Sequence, residues 1–190
     1  IGFGKMGKIR AQAIEASGLG RVGAIYDVRV PDHPPYPVAD SPQHLIQSPD
    51  IDAVFVCTPN HLIPHLCIEA LSAGKHVFSE KPPGFNAAQV SEVITAEQAA
   101  HGRKLMYGFN HRHHASIVRM KQIVDDGELG RVLWMRGRYG KEVEPSYFKG
   151  WRANPELAGA GILLDQGIHM ADLMMHFGGG FDEVHALVSN

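Results

Sequence analysis

Ile1-Gly2-Phe3-Gly4-Lys5-Met6-Gly7 opens the chain, and the fold turns on this stretch. The glycines stand in a Gly-x-Gly-x-x-Gly pattern at the mouth of a helical one, since Met6, Ile9, Ala13 and Ile14 recur near helical spacing up to Ser17. Such a loop has three tasks. One glycine makes a tight turn, the next lets backbone approach a pyrophosphate, and the last lets helix and strand pack closely. The helix N-terminus then faces the phosphates. The candidates for that cradle are Gly2, Gly4, Lys5, Met6 and Gly7. By itself the pattern is also what a plain glycine turn looks like. Asp27 adds weight, because it lies twenty residues past Gly7, where the apolar stretch Arg21–Tyr26 ends. A carboxylate there accepts hydrogen bonds from ribose hydroxyls and repels a 2′-phosphate, which favours NAD. Arg29 nearby can accept that phosphate, so NADP stays open.

Strand and helix signals alternate beyond this point. Pro31–Pro37 holds four prolines and reads as a loop. Ser41-Pro42 reads as an N-cap followed by proline at the first helical position. Asp52–Cys57 reads as a buried strand, His61–Ala73 as a helix stopped by Gly74, and His76–Ser79 as a strand. Asn86 with Gln89 three residues on forms a capping-box pattern for a helix to about Ala100. Lys104–Phe109 closes the series as another strand. This βαβα order predicts an α/β fold, with a doubly wound parallel sheet of the Rossmann type over residues 1–109. Beyond residue 110 the pattern changes to a helix at Ser116–Val124, strands at Arg131–Tyr139 and Val184–Val188, and an apolar helix at Ile162–Phe177. The expectation is a second α/β domain over 110–190. Only Ile1 precedes the first glycine, and the second domain has few strands. The chain therefore reads as a fragment, truncated in the first strand and again within the second domain.

Of 190 residues, 44% are hydrophobic and 20% charged, and the net charge is -2, which fits a globular protein with a core and no basic nucleic-acid surface. No apolar run reaches the roughly 20 residues of a membrane span. Two cysteines, Cys57 and Cys67, are too few for a disulfide framework, so a cytoplasmic protein with buried thiols is expected.

Four groups of residues carry candidate chemistry. Thr58-Pro59-Asn60 follows the strand ending at Cys57, at the carboxyl end where parallel sheets bind ligands; proline and asparagine are equally ordinary turn formers. Glu80-Lys81-Pro82 ends the next strand, and Pro82 restricts Lys81 to extended backbone. The Lys81 cation would stabilise alkoxide character during hydride transfer, with Glu80 orienting it; a solvated surface lysine is the plainer alternative. Asp165 and His169 stand four apart on one helical face. A histidine accepts a hydroxyl proton near neutral pH, and the aspartate holds substrate or imidazolium. The same pair also fits a surface ion pair or a core histidine. Trp151-Arg152 offers a ring and a guanidinium for phosphate or ring stacking, or an anchor for its loop. His61, His65, His111, His113 and His114 invite a metal reading, but the motif lacks the further ligands, and no metal is expected.

Taken together, these motifs resemble the glucose–fructose oxidoreductase / inositol dehydrogenase / rhizopine catabolism protein family of NAD(P)-dependent oxidoreductases. The resemblance runs through the glycine loop, Thr58-Pro59-Asn60, Ala73-Gly74-Lys75-His76-Val77-Phe78-Ser79-Glu80-Lys81-Pro82, Gly108-Phe109-Asn110-His111-Arg112, Gly150-Trp151-Arg152 and Leu164-Asp165-Gln166-Gly167-Ile168-His169-Met170-Ala171-Asp172. It implies a Rossmann domain followed by an α/β domain with a mostly antiparallel sheet, which assembles as a homodimer or homotetramer at full length. It also implies Lys81 as the active-site lysine with a cis Lys-Pro peptide, Asp165 and His169 at the acid and base positions, and Arg152 as a cofactor contact. The chain departs from the family pattern at Ile63, where histidine is frequent, and at Ala115, where proline is common. The expected activity is hydride transfer between NAD(H) and a secondary alcohol of a sugar, nucleotide sugar or cyclitol. Two rivals use the same residues: an NAD-dependent glycosidase working by transient oxidation, and a non-catalytic NAD or sugar sensor.

Overall fold

The computed structural model describes residues 1–140, 142 and 144–187, with the backbone alone at Ser146. It divides into two compact units, Ile1–Gly108 with Glu144–Gly161, and Phe109–Val143 with Ile162–Asn190.

In the first unit, β1 (Ala53–Val56), β2 (His76–Ser79) and β3 (Leu105–Tyr107) form a parallel sheet in that order. Val54 lies opposite Val77, and Phe78 opposite Met106. Backbone hydrogen bonds continue the sheet past β1. The Ile1 amine donates to the Phe55 carbonyl, and Cys57 N–H donates to the Ile1 carbonyl, both at 2.8 Å. Gly2 N–H donates to the Tyr26 carbonyl, and Ile25 bridges to Val38 in parallel. Across the sheet the chain therefore runs 38, 25, 1, β1, β2, β3, the 3-2-1-4-5-6 order of a doubly wound dinucleotide fold. The expected strand at Arg21–Tyr26 is reduced to the isolated bridge at Ile25. A cavity of about 540 Å³ lies alongside, lined by Val22–Tyr26 and Ile51–Phe55 among others.

The helices form where the caps and apolar spacing place them. α1 (Lys5–Ser17) starts from Gly4 and stops at Gly18 in the left-handed region. α2 (Pro42–Gln47) is capped by the Ser41 side chain, which accepts from His44 N–H. α3 (Ile63–Ser72) is preceded by a 3-10 turn, Asn60–Leu62, so the expected helix from His61 begins in a tighter winding. α4 (Ala87–Ala99) is capped by Asn86, whose Oδ1 accepts from Gln89 N–H; the Gln89 side chain reaches back one residue past the capping-box position, its Oε1 accepting from Phe85 N–H. The core is Leu45, Ile46, Val54, Val56, Ile63, Leu66, Cys67, Ala70, Leu71, Val77 and Val93. α3 supplies the most to it because its mean composition is apolar and it lies on both β1 and β2.

The second unit holds α5 (Ala115–Asp125), and after the 3-10 turns and α6 (Pro155–Ala158) of the first unit, α7 (Ile168–Gly178). A π-helical turn, Leu163–Gly167, leads into α7, so the regular helix expected over Ile162–Phe177 carries a wider turn at its start. The expected strands at Arg131–Tyr139 and Val184–Val188 form no ladder among the described residues; Val188 lies outside them. β-propensity describes fit to a pleated neighbour and creates no strand without one. Leu133, Trp134, Val184 and Leu187 are accordingly exposed.

Candidate functional site

The glycine loop is built by exclusion. Gly2 sits at φ +85°, and a Cβ there would lie 2.5 Å from the Cys57 carbonyl oxygen. A Cβ on Gly7 would run into the carbonyl oxygen of Gly2. Gly4, in contrast, has nothing within 4 Å of where a Cβ would be. Two glycines thus fold the loop tightly onto the end of β1 and onto itself, and the third leaves open space beside the first turn of α1. The early N–H groups of a helix have no intrahelical acceptor. Lys5 and Met6 are the first two residues of that turn. Asp27 braces the loop: its Oδ2 accepts from Phe3 N–H at 2.5 Å and its Oδ1 from Arg29 N–H at 2.8 Å. A carboxylate has lone pairs beyond these two, so the brace leaves capacity for ribose hydroxyls.

At the carboxyl end of β1, Thr58 Oγ1 is buried and has no hydrogen-bond partner among the described residues. A buried hydroxyl without a partner costs about 1–3 kcal/mol, which a polar ligand atom would offset. With the open space at Gly4, this residue set fits a dinucleotide. Asn60 is 3% exposed, and its Nδ2 donates to the Ala158 carbonyl at 2.9 Å. It therefore ties the 144–161 excursion to the first unit. That excursion brings Trp151 and Arg152, whose guanidinium carbon lies 4.3 Å from the Trp151 ring centroid. At the end of β2, the Lys81–Pro82 peptide is cis and Lys81 is half-buried. Glu80 is held by Arg10 of α1, whose Nε donates to Oε1 at 2.8 Å and whose Nη2 lies 2.7 Å from the same oxygen. The same guanidinium sits 4.9 Å from the Phe78 ring centroid.

In the second unit, Asp165 lies within the π turn and His169 on the first turn of α7; each is 5% exposed. That burial removes the surface ion pair as a reading. Gln166 Nε2 donates to Asp165 Oδ2 at 3.0 Å. The His169 ring stacks on His111, and Phe109 meets it edge-on. One turn further, Asp172 accepts a forked pair from Arg112, Nε to Oδ2 at 2.8 Å and Nη2 to Oδ1 at 2.5 Å. Such two-point pairs fix orientation as well as contributing energy.

Residues 1–109 match the model of an oxidoreductase family with an NAD-binding Rossmann fold, GFO/IDH/MocA, and residues 117–190 match a C-terminal domain of the same family. The chain belongs to the GFO/IDH/MocA family. Levoglucosan dehydrogenase of Pseudarthrobacter phenanthrenivorans is 32% identical over 76% of this chain and 37% of its own length. Inositol 2-dehydrogenase of Gluconacetobacter diazotrophicus is 32% identical over 77% of this chain and 47% of its own. An uncharacterized oxidoreductase of Bacillus subtilis is 30% identical over 98% of this chain and 55% of its own. Among solved structures, levoglucosan dehydrogenase in complex with NADH and levoglucosan superposes with a TM-score of 0.86 at 27% identity, covering 95% of this chain and 53% of that one. Myo-inositol 2-dehydrogenase from Lactobacillus plantarum gives 0.80 at 27%, covering 94% and 55%. The chain spans about half the length of the curated relatives it matches.

Within this GFO/IDH/MocA chain, the first unit contains the glycine loop, Asp27, Thr58, Pro59, Asn60, Glu80, Lys81 and Arg152, and the second contains Asp165 and His169. Three contacts escaped the sequence reading: Arg10 with Glu80, the His111 ring on His169, and the Arg112–Asp172 fork. Arg10 stood at no motif position. His111 and Arg112 stood in the Gly108–Arg112 motif but without a partner that spacing could reveal, since 58 or 60 residues separate them from theirs. Among the described residues, no three His, Cys, Asp or Glu side chains are grouped to hold a metal, and no helix is long and apolar enough to cross a membrane.

Proposed function

We propose that the protein to which this chain belongs transfers hydride between NAD(H) and a secondary alcohol of a sugar, nucleotide sugar or cyclitol. The observation that carries this reading is the burial of Asp165 and His169, each 5% exposed, in a chain whose other unit is an NAD-binding fold. Ionisable side chains are rarely buried unless they are paired or used. Relatives named for levoglucosan and inositol support the substrate class.

Gly2, Gly4, Lys5, Met6 and Gly7 hold the pyrophosphate, Asp27 the adenosine ribose, and Thr58, Pro59, Asn60, Glu80 and Arg152 complete the binding of the dinucleotide. The nicotinamide supplies or takes the hydride when bound. His169 accepts the hydroxyl proton, Lys81 stabilises the negative charge growing on that oxygen, and Asp165 orients the substrate. Residues 1–109 form the cofactor domain, and 110–190 belong to a substrate domain with a mostly antiparallel sheet that joins subunits in a dimer or tetramer. Asp27 favours NAD over NADP through its charge.

The test is absorbance at 340 nm across a panel of polyols, sugars and nucleotide sugars, using the full-length protein. Turnover is expected with wild type, with losses of roughly 10²-fold or more in Lys81→Ala and His169→Ala. Full turnover in both variants would sink the assignment, and glycoside cleavage without net NADH would redirect it to transient oxidation.

A further inference from the structure

The rings around His169 bear directly on its proton. His111 lies face to face with His169, with centroids 4.1 Å apart and planes 17° from parallel. Tyr139 is nearly parallel to both, 5.7 Å from His111 and 6.5 Å from His169. We propose that His111 is a positioning residue that fixes the plane of the His169 ring and takes the first proton of the pair, so that His169 stays neutral and accepts its proton from substrate. This rests on the reading of His169 as proton acceptor given above.

The geometry is braced. His111 is followed in the chain by Arg112, and Asp172 lies three residues after His169. The Arg112–Asp172 fork therefore clamps the short turn that carries His111 to the helix that carries His169. Ring stacking and fork together hold the His169 plane from two sides.

The protonation order is set by charge and burial. Two imidazolium rings stacked at this distance repel, so the pair binds its second proton less readily than its first. Burial penalises the charged form, and His169 is 5% exposed while His111 is half-buried. The first proton therefore goes to His111, and its charge opposes protonation of His169. His114, tilted 5.3 Å from His111, acts in the same direction when charged. Asp165, one turn before His169, acts in the opposite one. Arg112 and Asp172 largely cancel each other.

The deciding variant is His111→Phe, which keeps a ring on His169 and removes the titrating group. The measurement is an NMR titration of the histidine rings in the full-length protein from pH 5 to 9. The His169 midpoint is expected to rise by roughly one pH unit in His111→Phe. The acid limb of kcat/KM should move up with it. His111→Ala loses the ring as well, and its plateau kcat should fall roughly tenfold with little change in KM. A His169 midpoint unmoved in His111→Phe overturns the pairing. A moved midpoint with an unmoved acid limb instead sinks the proton-acceptor role of His169, and the proposal with it.

Discussion

Arg10 gives the sharpest test of how the first unit is held together at its ligand-binding edge. Its guanidinium makes two contacts to one oxygen of Glu80, at 2.7 and 2.8 Å, with side chains only 20% and 13% exposed. Replacing it in Arg10→Met keeps much of the stem packed near Phe78 but leaves the Glu80 carboxylate largely out of water without its cation. Breaking a buried pair from one side costs about 3–5 kcal/mol. Some exposure at both partners brings the expectation to the lower end, about 2–3 kcal/mol, well above the 0–1 kcal/mol of a surface pair. For a protein of this size that corresponds to a fall in Tm of roughly 4–12 °C. The double variant Arg10→Met/Glu80→Gln removes the stranded charge as well, so it should recover about 1–2 kcal/mol of that loss. The assay is reversible thermal or urea unfolding of the full-length protein followed by circular dichroism. A loss under about 0.5 kcal/mol in Arg10→Met, or strictly additive single and double variants, would refute the claim that this pair braces the residue next to Lys81.

Two further outcomes concern the loop and the core. Gly7→Ala should destabilise the fold and abolish NADH binding measured by fluorescence titration, because its Cβ meets the Gly2 carbonyl; Gly4→Ala should keep a near-wild-type Tm and lose roughly tenfold or more in NADH affinity, because its Cβ has room in the fold and intrudes only on the ligand. The Cys67 thiol is pushed up to about 11 by burial, against 9.0 for an unperturbed thiol. The unfolded chain therefore releases this proton first, and stability should fall by up to about 1.4 kcal/mol per pH unit as pH rises from 9 towards 11. Urea midpoints across that range check the slope, and Cys67→Ala should reduce it, leaving the share of Cys57, whose thiol burial likewise pushes up to about 11. At pH 8 the native thiol should resist Ellman's reagent and react once unfolded.

The order of elements in the first unit was legible from residue 5 to residue 107 because each signal there is local. Ser41 and Asn86 cap helices by bonding N–H groups three residues away. His76–Ser79 is a strand with the bounds its pattern predicts. The glycine loop is legible for the same reason, since the tasks of Gly2 and Gly7 are met within two residues of a turn and against the strand beside it. Arg131–Tyr139 shows the limit. Its residue types suit a strand, yet a strand is defined by a partner, and no partner pairs with it among the described residues.

The amino-acid order thus commits the chain to its local features: caps, turns, apolar periods, and the identity of the groups able to carry a proton or a charge. Which of those groups meet is settled by packing. Glu80 turned out to be held by Arg10, seventy residues earlier, and Asn60 by a carbonyl 98 residues later. Asp165 and His169 became buried groups instead of a surface pair, with an imidazole laid on the histidine. The physical reason is that capping and periodicity act over three or four residues of one chain segment, whereas pairing, burial and ring stacking depend on segments that only the packed core brings together.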